Sequence, residues 1–200
     1  MRALDYLDKN RKLVKVLRIL SQVGLWISAA AVLISLPLAV SLSGGNNWGI
    51  FQGIPENLDF GYVDGVIRFN VMLTDVTPRQ VQIITAQILF SITVYGAVFG
   101  AIMFYLSNVL KTVENRMPFA RENARRIASM GLVFLAGSLL TGMIQAGTAN
   151  AIIHTLRLTE MMSVNYSLNS SMLITGLLLF VLSGIFRYGA YLQEEYDATL

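Results

Sequence analysis

"MPFARENARR", residues 117–126, packs three arginines and a glutamate into ten positions. Immediately before it, Gln80 to Leu110 contains no charged side chain. Immediately after it, Ile127 to Leu156 carries only His154. A bilayer core needs roughly 20 consecutive apolar residues for one helical crossing. The charged decad therefore reads as a short turn between two membrane-crossing helices.

Working outward, two more uncharged runs appear, Ile19 to Pro55 and Met161 to Phe186. Four runs predict an all-α membrane protein, a four-helix bundle of transmembrane helices. The balance of the composition agrees: 54% of the 200 residues are hydrophobic, 14% are charged, and the mean hydropathy is +0.58. A soluble domain carries about 25% charged residues and could not bury four such helices on every side. There is no cysteine, which removes disulfides, thiol catalysis and thiolate metal sites.

Lysine and arginine placement sets the expected topology. Twelve cations lie before Ile19, between the second and third runs, and at Arg187; three, Arg68, Arg79 and Arg157, lie in the other two connections. Both termini and the "MPFARENARR" turn are thus expected in the cytoplasm. The segments read as a cytoplasmic amphipathic helix (1–18), a first crossing (19–42), an outer loop (43–77), a second crossing with a cytoplasmic extension (78–115), an inner loop and third crossing (116–153), a second outer loop (154–170), a fourth crossing (171–193) and a tail (194–200).

Local signals refine these spans. Pro37 should bend the first crossing near its outer end, where neighbouring helices or Ser35 can satisfy freed backbone groups. "FGYVDGVIRFNV" (60–71) sets Asp64-Gly65 between β-rich flanks, the signal for a small extracytoplasmic β-hairpin cap. Trp48, Phe60 and Tyr62 make that loop aromatic, either as a membrane-interface belt or as an outer ligand surface. Thr77, Pro78 and Gln80 form a capping box that opens the second crossing. Gly96 and Gly100 make a GxxxG, which lets another helix approach closely within the chain or between copies. Val164, Tyr166 and Leu168 alternate like a short strand, and Asn169 or Ser170 suits the cap of the last helix. "RILS" (18–21) returns as "RIAS" (126–129), a faint internal repeat.

No catalytic set emerges. His154 is the one histidine and reads as an interfacial polar residue; paired-histidine metal motifs and HExxH are thereby excluded, and no GxSxG elbow is present. No cofactor, metal or direct nucleic-acid site is implied, and the chain reads as a non-enzyme. The mid-membrane polar residues are neutral, with Gln87 the costliest to bury and Thr141 a suitable partner for it. On the inner face, Arg121, Arg125 and Arg126 stand opposite Glu194, Glu195 and Asp197 of the tail. Arginine forks suit carboxylates, so the two clusters can dock on one another or on a cytoplasmic protein.

"MPFARENARRIASMG" (117–131) and "GIFRYGAYLQEEYDATL" (184–200) resemble the bacterial four-helix membrane proteins catalogued as domain-of-unknown-function family 2975. The likeness rests on Pro118, Phe119, Asn123 and Arg126 in the turn, and on Leu192, Gln193, Glu194, Glu195 and Asp197 near the end. It implies a multi-pass protein of the bacterial plasma membrane, of the kind often encoded beside a small helix-turn-helix regulator. The expected function is regulatory or sensory: an outer cap senses, and the inner loop and acidic tail contact a partner, with a helix-turn-helix regulator the candidate. The alternatives are a small transport or immunity protein for an amphipathic molecule, and a structural subunit of a membrane complex.

Overall fold

The computed structural model describes residues 3–45, 57–62, 67–72, 77–157, 159 and 163–198. Four long helices dominate: α1 (Ala3–Ser43), α2 (Pro78–Glu114), α3 (Arg121–Thr155) and α4 (Ser170–Ala198). Each contains a stretch long and apolar enough to cross a membrane. Between α1 and α2, strands β1 (Asn57–Tyr62) and β2 (Ile67–Met72) pair antiparallel, from Asn57↔Met72 to Tyr62↔Ile67. The turn expected at Asp64 and Gly65 lies outside the described residues, as do Trp48 and the side chains of Phe60 and Tyr62.

The helices do not close into the expected bundle. Each packs only on its chain neighbours, α1 on α2, α2 on α3, and α3 on α4, with no contact between α1 and α4 among the described residues. The result is an open row, one helix thick. In lipid no hydrophobic force draws apolar helices together, so small residues and interhelical hydrogen bonds decide which faces meet. Here they recur every seven residues. Ser21, Ser28, Ser35 and Leu42 are the buried line on α1, and Ala86, Thr93, Gly100 and Ser107 are the buried line on α2. The two lines run antiparallel: Ser35 Oγ and Thr93 Oγ1 share a 2.7 Å hydrogen bond, and a Cβ on Gly100 would stand 2.6 Å from Ser28 Oγ. Gly96 faces the same neighbour, beside Val32.

A second seam of the same kind joins α3 and α4. Ala124 and Gly131 of α3 oppose Ser183 and Gly176 of α4, all buried. Ser183 donates across it to the Ala124 carbonyl at 2.8 Å, and a Cβ on Gly131 would meet the Gly176 carbonyl at 3.0 Å. The middle seam, α2 to α3, is held by the 2.7 Å hydrogen bond between Ser91 and Thr148 and by Gln80 Nε2 donating to the Thr155 carbonyl at 2.7 Å.

Several boundaries differ from the sequence reading. The division at residues 18 and 19 is absent, because α1 is one uninterrupted helix with Pro37 inside it. Nothing near residue 18 breaks it, and Arg18 is anchored to α2 (below). Ser35 spends its hydroxyl on Thr93 rather than on the backbone near Pro37. The segment 194–198 continues α4 instead of forming a separate tail. Residues 163–169 form no strand; they lie against α3 instead, where the Ser167 carbonyl packs over Gly142. Thr141 donates within its own helix, to Gly137 at 2.7 Å, and does not meet Gln87. The RILS/RIAS likeness does not follow the seams either, for Ser21 is buried and Ser129 only half-buried. The Thr77–Gln80 capping box does form, and Asn169 caps α4 by accepting from the Met172 amide at 3.1 Å.

Candidate functional site

Charge gathers at the end of the row where α1 and α3 begin and α2 and α4 end. The turn that joins α2 to α3 is built from backbone bonds first. The Met117 amide donates to Thr112 and the Arg116 amide to Val113, at 3.0 and 3.1 Å. This closes α2 as a Schellman motif with Arg116 in the left-handed region at φ 63°; glycine usually fills that place. Asn123, fully buried, then ties the turn down. Its Nδ2 donates to the Pro118 carbonyl at 2.9 Å, and its Oδ1 accepts from Thr112 at 2.6 Å and from Arg126 at 3.2 Å. Phe119 lies against Phe186 of α4, ring centroids 5.6 Å apart, and over Gly189, where a Cβ would strike the ring at 2.6 Å.

The three arginines of the decad have three different surroundings. Arg126 is part of the turn's framework: it bonds Glu122 one helical turn away at 2.7 Å, the Asn108 carbonyl at 3.2 Å, and Asn123. Arg121 reaches across to α4 and pairs with Glu194, with both side chains largely in solvent. Arg125 has no hydrogen bond or ion pair to the described residues; it lines a cavity of about 440 Å³ with Arg121, Ala124, Arg187 and Tyr191. Among the described side chains of the six residues expected to form an inter-cluster contact, only Arg121 and Glu194 meet. Glu195 is exposed on α4, and the Asp197 side chain lies outside the described residues.

Sequence reasoning missed the Arg18–Glu114 pair, 2.6 Å long and mostly shielded from solvent, which clamps α1 to α2 at this same end. The partners are far apart in the chain, and each alone resembles an ordinary interfacial charge. The seven-residue recurrence of Ser21, Ser28 and Ser35 could have pointed to the face on which Arg18 sits. At the opposite end, Arg79 donates to the Leu42 and Ser43 carbonyls, each at 3.4 Å, which places a cation at the negative end of the α1 dipole. His154 is exposed there. Among the described residues no group of three or more His, Asp or Glu side chains could hold a metal.

No curated protein and no solved structure matches the chain. A family described as "Protein of unknown function (DUF2975)" matches residues 65–200, which takes in β2, the capping box, the Asn123 turn and both helices of the α3–α4 seam. That match spans well over half of the chain, and the four apolar helices fit a four-helix membrane family, so the protein belongs to the DUF2975 family.

Proposed function

We propose that the protein is a non-enzymatic regulatory membrane protein that offers its charged end to a cytoplasmic partner. The observation that carries this reading is the Arg121–Glu194 pair. It bridges α3 and α4, it is solvent-exposed, and it stands beside Arg125, which has no partner among the described residues. Exposed pairs contribute about 0–1 kcal/mol, so a protein partner can replace either half at small cost. The rest of that end is fixed by Asn123 and by the Arg18–Glu114 clamp, which gives a rigid frame around an exchangeable contact. In this reading the charged end faces the cytoplasm and the β1–β2 pair faces outward from the plasma membrane, an orientation supported by the lysine and arginine asymmetry. There β1 and β2 serve as a cap able to meet a signal. The mid-membrane hydroxyls are spent on one another and on helix backbone, which favours a static scaffold over a solute path.

The test is co-purification from native membranes after crosslinking. E194K and R121E each reverse one charge on an exposed position, and both should lower recovery of a cytoplasmic protein seen with the wild type. The double swap R121E/E194K should recover part of it. Equal recovery with all three inserted variants would refute the reading.

A further inference from the structure

The cavity beside Arg125 sits at a definite depth. The uncharged run of α3 starts at Ile127 and that of α4 ends at Phe186. Arg187 is therefore the charge that borders the apolar slab on α4, and on α3 Arg125 lies one residue outside Arg126, which borders it there. Arg121 and Arg125 are one turn apart on α3, and Arg187 and Tyr191 one turn apart on α4, so two i,i+4 pairs face each other across the opening. Glu194 is taken by Arg121. Arg125 and Arg187 have no carboxylate partner among the described residues, although they share one concave space with a third guanidinium. Like charges brought together repel, and an anion between them relieves the repulsion. Ala120 gives the first turn of α3 no side-chain cap, and the acidic residue of that turn, Glu122, is paired with Arg126 rather than with the arginines of the cleft.

We propose that this cleft binds a phosphate group at the membrane surface, as carried by the headgroup of an acidic lipid or by a soluble phosphate ester. Guanidinium forks match phosphate oxygens two by two, and basic pockets between membrane helices are suited to anionic headgroups. Tyr191 supplies an amphipathic ring with a hydroxyl at headgroup level. The phosphate is seated between α3 and α4, and a lipid's acyl chains run down the side of α4 below Arg187, where Phe180 and Leu177 are exposed. The inference does not depend on the partner-binding reading or on which leaflet the charged end meets.

The test uses the full chain in a neutral detergent. Native mass spectrometry with equal amounts of phosphatidylglycerol and phosphatidylcholine reads lipid retention, and thermal shift with glycerol 3-phosphate reads the soluble ester. Phosphatidylglycerol should be retained over phosphatidylcholine, and R125Q/R187Q should weaken its retention by on the order of tenfold. K12Q removes one cation outside the cleft and should leave retention unchanged. Stabilisation by glycerol 3-phosphate that is lost in R125Q/R187Q, without lipid preference, would place the phosphate source in the aqueous phase. R125Q alone, at a position with no bond to lose, keeps the site testable if the double variant does not fold. Wild-type behaviour of R125Q/R187Q or of R125Q in both assays, or a K12Q loss equal to theirs, overturns the proposal.

Discussion

Asn123 Oδ1 accepts a 2.6 Å hydrogen bond from Thr112 across the turn between α2 and α3, while its Nδ2 holds the Pro118 carbonyl. One buried amide thus fixes the entry of α3, the exit of α2 and the loop between them. Asn123→Ala should cost about 2–4 kcal/mol, since a neutral hydrogen bond is worth roughly 1 kcal/mol and orphaned buried groups add to that loss. Reversible unfolding in mixed micelles measures it. A cost below that of an exposed control such as Glu195→Ala would contradict the assigned role.

The α1–α2 seam makes a sharper forecast. A methyl group on Gly100 meets Ser28 Oγ, which is a side chain. Gly100→Ala should destabilise by about 1–3 kcal/mol, the usual range for overpacking. Ser28→Ala in the same chain should return part of it, because contacting residues couple. Additive losses in the double variant would mean that the two positions do not touch.

Gly142 is the stricter case. A methyl there runs into the Ser167 carbonyl, and backbone yields less readily than a side chain. Gly142→Ala should therefore cost more than Gly100→Ala. Gly147→Ala, which meets nothing within 4 Å, should be neutral or slightly stabilising, since alanine favours helix by about 1 kcal/mol over glycine. Thermal stability of the three variants in one detergent gives the order directly, and a Gly147→Ala loss as large as that of Gly142→Ala would refute it.

The two interhelical ion pairs should behave differently. Glu114→Gln uncouples the shielded Arg18 and should cost roughly 1–3 kcal/mol. Glu194→Gln uncouples an exposed pair and should cost about 0–1 kcal/mol. Replacing both partners of the shielded pair, Arg18→Met with Glu114→Leu, should recover much of the loss, because an apolar pair has no desolvation penalty. Raising salt should weaken the Arg121–Glu194 contribution first.

Much of this was legible from particular residues. The four uncharged runs gave the helices because lipid forbids charge along a crossing, and Thr77 with Gln80 gave the start of α2 because capping is local chemistry. The open row was not legible. A helix bathed in lipid is apolar on its outer faces, so hydropathy does not mark the face that meets a neighbour; the small residues do. Closure or openness depends on whether α1 reaches α4, and no local signal encodes that. The left-handed turn at Arg116 was hidden for a simpler reason, since arginine rather than glycine occupies it. The inner charges were visible as a group, but their pairing is set by helix facing: Arg126 points toward α2 and Arg121 toward α4.

A row one helix thick has almost no inside. Among the described residues neither broad side of the row is covered by another helix, so in a membrane the surrounding fluid would take the place that a hydrophobic core holds in a globular fold. Bilayer thickness then acts on all four rods together, and mismatch costs fractions of a kcal/mol per Å. Tilting in a thinner membrane would shear the serine and glycine seams against each other before anything else gave way.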